Sequence, residues 1–270
     1  MSTQTFNSSE QVLLFSLCFG QEDPFNNIQC TNSLRGLGEQ TKIEESVQEN
    51  LNLNLDQDVI KITLPASQLS NVNTCEAIHN IYDAEIIGND LFIMLDGVYK
   101  EEIHRRLCNS FEAQAPHLCM YINTICMVGG HQLRPDVGVW FQTPTHLQKR
   151  SPVIYRCPPP DVWIEVYYNR NPDRSHAVDK IDLVHTIHPN IEFLGIALPF
   201  SEVPFHLPPD QRPGNTAHAN VALTQPSRAP YMVHWDINHN PIYYRMDWDR
   251  HITLRCGFIV DFNMVLNELC

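Results

Sequence analysis

Two strand-like segments, each carrying a carboxylate in an otherwise apolar pattern, constrain the fold of this chain more than any other feature. The first is RPDVGVWF, which contains Asp136, and the second is DVWIEVYY, which contains Glu165. Side chains alternate between the faces of a strand, so Asp136 shares a face with Trp140 and Glu165 shares one with Trp163. If the two strands pair as neighbours, we expect both carboxylates to converge at one point.

Two carboxylates held close together in a sheet normally need a cation between them, because an isolated buried charge is costly. Oxygen ligands of this kind suit Mg²⁺ or Mn²⁺. Lys180 follows Glu165 on a predicted helix, at the border of the apolar stripe formed by Ala177, Ile181 and Val184. From there its ammonium can reach back over the end of the sheet. Such a trio would serve phosphodiester hydrolysis, with the metal activating water and clamping phosphate oxygens.

The pattern between residues 59 and 200 predicts a mixed α/β domain. VIKITLP is typical of an edge strand, and AEIIGNDLFIML of a hairpin. YKEEIHRRLCNSFEAQA predicts a helix with Ile103, Leu107 and Phe111 on one face. MYINTICMV, PDVGVWF, VWIEVYY and IEFLGIAL predict strands, and DKIDLVHTIH predicts a helix before the last of them. The proline-bearing segment 142–160 predicts a long loop between the second and third of these strands. This order favours one central mixed sheet flanked by helices.

The two ends of the chain carry different patterns. Residues 1–58 are polar and acidic with little periodicity, which favours a disordered extension. Residues 201–270 begin with a proline-rich stretch that predicts a loop. YMVHWDINHNPIYYRM then predicts a hairpin turning at residues 238–240, and ITLRCGFIVDFNMVL one further strand, both packing on the core.

The charge distribution along the chain does not exclude a nucleic-acid partner. The formal net charge is −13, but residues 101–185 hold nine basic and nine acidic residues, so the acidity lies mostly elsewhere. The nine cysteines form no CxxC pair, and HExxH, GxSxG and GxxxxGK[ST] motifs are absent from the sequence. The early apolar run VLLFSLCF is too short to span a bilayer, and no secretory leader is recognisable. We therefore expect an intracellular protein, cytoplasmic or nuclear, without a membrane partner.

These residues carry a resemblance to a known group of proteins. Asp136, Glu165 and a following lysine in an α-β-β-β-α-β order resemble the PD-(D/E)xK restriction-endonuclease-like superfamily. Over residues 75–200, the segments AEIIGNDLFIM, EEIHRRL, RPDVGVW, DVWIEVYYNRNP, DKIDLV and NIEFLGIAL resemble, in order and spacing, the Uma-type restriction endonucleases. The resemblance implies a restriction-endonuclease-like core and a metal-dependent nuclease acting on nucleic acid, with DNA the expected substrate. The sequence leaves open whether the protein forms a homodimer.

The resemblance also implies roles for individual residues. Asp136 matches the metal-binding acid of the PD motif and Glu165 the acid of the central strand, with the main-chain carbonyl of Val166 assisting at the metal. The usual lysine two residues after that glutamate is replaced here by Tyr167. Lys180 matches the lysine that Uma-type members carry on the next helix.

Two further positions match the same family. Glu85 corresponds to the acidic residue of the early hairpin, and His104 to the histidine that opens the first long helix. Tyr168 departs from the pattern, because the family often has a small serine there. The turn Gly88-Asn89-Asp90 also replaces the more usual Asp-Gly.

Two other functions remain open from the residues themselves. Without the lysine after Glu165, the chain could be a catalytically inactive nuclease-fold protein that acts as a binding or interaction module. Alternatively, Asp136 and Glu165 could form the acid/base pair of a carbohydrate or small-molecule hydrolase, which needs no metal.

Overall fold

Two larger β-sheets and one two-stranded sheet organise the described part of the chain. This computed structural model describes residues 43, 45–50, 53, 58–95, 97–199, 230–246 and 250–269. The strands are β1 (Val59–Thr63), β2 (Ala84–Ile87), β3 (Asp90–Met94), β4 (Cys119–Ile122), β5 (Cys126–Val128), β6 (His131–Leu133), β7 (Val137–Trp140), β8 (Val162–Tyr168), β9 (Glu192–Leu198), β10 (Tyr231–Trp235), β11 (Pro241–Arg245), β12 (His251–Thr253) and β13 (Ile259–Asp261). The helices are α1 (Ala66–Leu69), α2 (Val72–Ile81), α3 (Val98–Gln114), α4 (His146–Arg150), α5 (Asp173–Ile187) and α6 (Asn263–Leu269).

The central sheet has six strands in the order β11-β10-β9-β8-β7-β4. β8 and β9 run parallel, with α5 as the connection between them, and the other neighbours are antiparallel. Every residue of β9 is buried, as are all residues of β8 except its last. Strands covered on both faces have nearly continuous apolar sequences, so a carboxylate such as Glu165 within β8 is an exception that needs a partner.

Helices cover both faces of this sheet. On one face α3 packs through the stripe predicted from its spacing, Ile103, Leu107 and Phe111. On the other face α5 packs through Ile181 and Val184. The predicted mixed α/β architecture, a central mixed sheet flanked by helices with a C-terminal hairpin region, is confirmed.

A second sheet has five antiparallel strands in the order β1-β3-β2-β6-β5. β1 lies at its edge, as the sequence predicts. The β2–β3 hairpin turns at Gly88, whose φ of +63° favours glycine. We expected this hairpin to belong to one central sheet, and that part of the prediction is wrong. The alternation of apolar residues predicts a strand but not its neighbour.

Two segments between α3 and β8 differ from expectation. MYINTICMV forms two strands rather than one, β4 in the central sheet and β5 in the second sheet. The chain changes direction at Asn123, which adopts a φ of +50°. The segment 142–160, expected to be a loop, contains the short helix α4, which begins with a capping box formed by Thr145 and Gln148.

The C-terminal strands add to the central sheet. β10 pairs with β9, and the β10–β11 hairpin turns within the predicted residues 238–240, where His239 adopts a φ of +60°. ITLRCGFIVDFNMVL, expected to be a single strand, forms the β12–β13 hairpin followed by α6. Gly257, with a φ of +86°, allows the turn, because an L side chain disfavours that conformation.

Some predictions fall outside the described residues. The polar extension 1–58 is described at only a few positions, of which residues 45–50 are helical and Ile43 and Val47 are buried. Residues 200–229 of the proline-rich segment are not described. The described residues belong to the unit Glu39–Cys270, and the domain boundaries near residues 58 and 200 stay predictions. Among the helices of the described ranges, none is long and apolar enough to cross a lipid bilayer.

Candidate active site

Strand pairing places Asp136 opposite Glu165. β7 and β8 are antiparallel neighbours in which Val137 pairs with Ile164, so the next position outward brings the two acidic residues face to face. The Oδ2 atom of Asp136 accepts a hydrogen bond of 2.5 Å from the backbone N–H of Val166. Both carboxylates are buried. The expected convergence of the two strands at this point is therefore present.

Lys180 lies in the same buried cluster, with only 1% of its surface exposed. Its Nζ is 2.9 Å from Glu165 Oε2 and 2.8 Å from Glu85 Oε1. It also donates a hydrogen bond of 2.8 Å to the carbonyl oxygen of Arg134. An ammonium has three N–H donors, and these three acceptors match them. The sequence placed Lys180 at the border of the α5 stripe, and the structure directs it inward.

Glu85 reaches this cluster from β2 of the second sheet. Its Oε1 accepts hydrogen bonds from Lys180 and from the backbone N–H of Arg134, the latter at 2.7 Å. Its Oε2 lies 2.7 Å from Nε2 of His176. Complete burial works against ionisation, but the charges of Lys180 and His176 outweigh it and lower the pKa of Glu85 to about 2. Glu85 is thus the ionised partner of Lys180.

Glu165 has the opposite electrostatic environment. Burial raises the pKa of its carboxyl well above the usual range, and the neighbouring charges of Asp136 and Glu85 raise it further, while Lys180 opposes them. Its Oε1 accepts a hydrogen bond of 2.5 Å from Nε1 of Trp163. Lys180 is shared between the two carboxylates, 2.8 Å from Glu85 and 2.9 Å from Glu165. Burial is the main reason that Glu165 holds a proton more strongly than an exposed glutamate.

A second group of buried charges lies beside Asp136. His104, on α3, has its Nε2 3.6 Å from Asp136 Oδ2. Burial opposes ionisation of Asp136, but His104 and the nearby lysines lower its pKa below the usual range. Lys100 and Asp173 form a buried ion pair of 2.9 Å, and Asp173 also accepts a hydrogen bond from the backbone N–H of Tyr168.

The structure therefore brings together the residues that the sequence analysis singled out, and it adds others. Glu85 and Glu165 contact Lys180 directly, whereas Asp136 contacts Val166 and lies near His104. Sequence reasoning missed Trp163, His176 and Arg134, together with the Lys100–Asp173 pair. A signal existed for two of them. Trp163 shares a strand face with Glu165, and His176 precedes Lys180 by one helical turn.

The donor atoms around Asp136 suit a hard divalent cation in type. Within the described ranges, no cluster of three or more His, Cys, Asp or Glu side chains has a metal-binding arrangement, so a site here would need a main-chain donor. The N–H of Val166 points at Asp136, and in an extended strand the C=O of the same residue points to the same edge. Asp136, Glu165 and this carbonyl are oxygen donors, and the charge around Glu165 favours a cation.

Comparisons with known proteins find distant structural likeness. No family model matches the chain, and no curated protein sequence matches it. A crystal structure from Anabaena variabilis ATCC 29413, described as "a putative nuclease belonging to DUF820", is similar with a TM-score of 0.46 and 11% sequence identity. The alignment covers 69% of this chain and 91% of that one.

Proposed function

We propose that the protein is a divalent-metal-dependent nuclease that hydrolyses phosphodiester bonds of nucleic acid, with DNA as the expected substrate. One observation carries the proposal: Lys180 is held between Glu85 and Glu165, while Asp136 faces Glu165 from the neighbouring strand. Two carboxylates can hold a divalent ion, and an ammonium beside them can stabilise negative charge that develops on a phosphate, so the group suits metal-assisted phosphodiester hydrolysis.

Each residue has a defined part in this proposal. Asp136, Glu165 and the carbonyl of Val166 would hold Mg²⁺ or Mn²⁺, which supplies Lewis acidity and lowers the pKa of a bound water. Lys180 contacts Glu165 at 2.9 Å and would supply positive charge to the attacking water and the phosphate. Glu85 fixes the ammonium of Lys180.

His104 completes the assignment. Its ring lies 3.6 Å from the carboxylate of Asp136 and keeps the pKa of that group low. Asp136 is therefore ready to bind a cation without first losing a proton.

The acidic composition of the cluster supports a bound cation. Four carboxylates, two lysines and two histidines share this buried region: Glu85, Asp136, Glu165, Asp173, Lys100, Lys180, His104 and His176. The guanidinium of nearby Arg134 is paired with Asp83. Burial and the neighbouring carboxylates raise the pKa of Glu165, so a cation beside it would favour its ionised form.

One observation favours the second candidate, a catalytically inactive nuclease-fold protein that serves as a binding module. Lys180 already has an acceptor for each of its three N–H groups, and both oxygens of Glu165 already have a donor. A cluster satisfied in this way can act as a purely structural element. Catalysis requires Lys180 or Glu165 to exchange one of these contacts.

Activity assays separate the two candidates. Purified protein is incubated with plasmid, single-stranded DNA and RNA at neutral pH, with Mg²⁺, with Mn²⁺ or with EDTA. We expect cleavage that needs the metal and that falls at least about 100-fold in Asp136→Asn and Glu165→Gln, since metal catalysis contributes several kcal/mol. Hydrolysis that persists in EDTA would instead indicate an acid/base pair working without metal.

A matched control is available in Glu192. It is as buried as Glu165, with 3% exposure, but its Oε1 lies 2.8 Å from Nε2 of His234, and it also accepts from the backbone N–H of Arg255. Glu192→Gln therefore perturbs a buried carboxylate outside the cluster. Cleavage that is lost equally in Glu192→Gln and Glu165→Gln would reflect damaged folding and would remove the support for a metal site.

A further inference from the structure

The short helix α4 and the turns that follow it, residues 145–156, form a surface without acidic side chains, which we call the basic turn. Lys149, Arg150 and Arg156 are exposed there, and residues 137–160 contain no aspartate or glutamate. The whole chain has a formal net charge of −13. The basic turn is therefore a positive region in an acidic protein.

Among the described residues, the cations of the basic turn have no carboxylate partner. Lys149 donates a hydrogen bond of 3.0 Å to the hydroxyl of Tyr121, and neither Arg150 nor Arg156 forms an ion pair within the described ranges. Most other lysines and arginines of those ranges are paired with an acidic residue: Lys61, Lys100, Arg105, Arg106, Arg134, Arg170, Lys180 and Arg255. The basic turn thus keeps positive charge available to an anionic partner.

Hydrogen bonds hold the backbone of the basic turn in place. Nε2 of Gln148 donates to the carbonyl oxygen of Arg156 at 3.4 Å, which brings Arg156 beside α4. The buried Glu76 of α2 accepts hydrogen bonds of 2.9 and 3.0 Å from the backbone N–H groups of Val153 and Ile154. Its carboxylate is therefore bonded to the backbone of the turn and not to the exposed cations. A fixed support of this kind reduces the ordering that binding requires.

An exposed aromatic ring accompanies the cations. Tyr155 precedes Arg156 and is 47% exposed. Within the described residues its ring contacts no other ring and no cation, so its exposed part is not covered by either. Leu147 and Ile154 are exposed on the same turn and add apolar area. Aromatic rings for the bases beside cations for the phosphates are the combination with which proteins bind single-stranded nucleic acid.

The basic turn lies on the same face of the central sheet as the candidate active site. Tyr121, which Lys149 contacts, packs against the same buried cluster as Trp163, and Trp163 donates a hydrogen bond to Glu165. Strand β7 separates the two regions. At about 3.4 Å per residue, about 17 Å lie between Asp136 and the end of β7 from which the chain leads to the basic turn. A short strand of nucleic acid is long enough to reach both.

We propose that the basic turn binds a single strand of nucleic acid, with its cations at the phosphates and Tyr155 stacked on a base. The inference rests on the proposed function only in that the bound strand would be the nuclease substrate, because the binding itself needs no metal. A lipid surface fits less well. α4 has five residues, too few for the long apolar face of a helix that lies in a membrane interface.

Fluorescence anisotropy in EDTA tests this without turnover. The probe is a labelled single-stranded oligonucleotide of about 12 nucleotides, which exceeds the usual site size of one binding module. We expect Arg150→Gln/Arg156→Gln to bind it at least about tenfold more weakly at about 100 mM salt. The slope of log affinity against log salt should fall by about 1.4, because two phosphate contacts are lost.

A matched control removes the same charge elsewhere. Arg105 and Arg106 lie on α3, on the other face of the central sheet, and both pair with Glu102. Arg105→Gln/Arg106→Gln should bind the strand within about twofold of the wild type, because long-range effects of charge are largely screened at this salt concentration.

A second pair of variants tests the stacking. Tyr155→Leu should weaken binding at least about fivefold and leave the salt slope unchanged, because it removes a ring and no charge. Tyr155→Phe keeps the ring and should bind like the wild type. A duplex of the same length should bind more weakly than the single strand, since its bases are already stacked on each other.

Several results would overturn the inference: no binding of the single strand by the wild type, equal losses in the two arginine double variants, or unchanged affinity in Tyr155→Leu. Sedimentation with phosphatidylserine vesicles covers the lipid alternative. Vesicle binding that Arg150→Gln/Arg156→Gln abolishes, in a protein that does not bind the strand, would assign the basic turn to a membrane and overturn the inference as well.

The outcome is separable from the proposed function, because binding is also measured in Glu165→Gln. Strand binding at the basic turn in a protein without metal-dependent cleavage would sink the proposed function alone. Metal-dependent cleavage, with strand binding that is the same in the wild type and Arg150→Gln/Arg156→Gln, would sink this inference alone.

Discussion

Glu85 and Lys180 form a buried ion pair of 2.8 Å although 95 positions of sequence separate them. Glu85 belongs to a strand of the five-stranded sheet, and Lys180 to the helix that packs on the six-stranded sheet. The pair is thus a direct polar contact between the second sheet and α5. Lys180 also pairs with Glu165, so the contact with Glu85 helps to position a residue of the candidate active site.

Removing the ammonium should strongly destabilise the protein. Lys180→Met leaves Glu85 and Glu165 buried without their counter-ion, and breaking a buried pair in this way costs about 3–5 kcal/mol. Urea denaturation measures the loss in the free energy of unfolding. Lys149→Met, at an exposed lysine, should change it by no more than about 0.5 kcal/mol. A loss below about 1 kcal/mol in Lys180→Met would mean that the cluster does not depend on this charge.

Acid should weaken the fold through Glu85. Its pKa is lowered in the folded state from 4.5 to about 2, so the folded protein binds fewer protons than the unfolded chain between these values. The stability that Glu85 contributes is present above about pH 4.5 and is lost as the pH falls toward 2. Urea denaturation at several pH values should show this decline. Glu85→Gln, less stable at pH 7, should show a shallower decline, and equal slopes in the two proteins would contradict the assignment.

Metal binding should depend on Asp136. We expect Mn²⁺, titrated calorimetrically at neutral pH, to bind one site in the wild-type protein, and the affinity to fall at least about tenfold in Asp136→Asn, because a charged oxygen ligand becomes neutral. Glu192→Gln should bind Mn²⁺ like the wild type. Equal binding by the wild type and Asp136→Asn would place the ion elsewhere.

Cys119 should be the most reactive of the partly exposed cysteines in the described ranges. Burial raises the pKa of its thiol, but hydrogen bonds with Thr143 and Tyr121 and the charge of Lys149 outweigh burial and lower it below the usual value. Burial instead raises the pKa of Cys108 to about 12. Since the thiolate is the reacting form, iodoacetamide at pH 7.5 should label Cys119 at least about tenfold faster than Cys108.

Peptide mapping by mass spectrometry reads out both rates. Thr143→Val removes one of the hydrogen bonds to the Cys119 sulfur and should slow labelling of Cys119 while leaving Cys108 unchanged. Similar rates at the two cysteines in the wild-type protein would show that the hydroxyl groups and Lys149 do not stabilise the thiolate.

The sequence predicted correctly the elements in which the spacing of apolar residues marks the buried face. Ile103, Leu107 and Phe111 recur at helical spacing and are all buried on α3. The β2–β3 turn at Gly88 lies where the sequence places it. One of the failed predictions was decided by a single residue, because Gly257 turns the chain back within ITLRCGFIVDFNMVL, which was expected to form one strand.

The sequence by itself determined that Asp136 and Glu165 would face each other if their strands paired, because side-chain alternation has a fixed period of two. Only the tertiary structure decided that Glu85, from a second sheet, pairs with Lys180 and that Lys180 points inward. It also decided that His176 contacts Glu85. Those contacts join segments far apart in the chain, and their formation depends on how the second sheet and α5 pack together. The spacing of apolar residues within one segment does not predict how distant segments pack together.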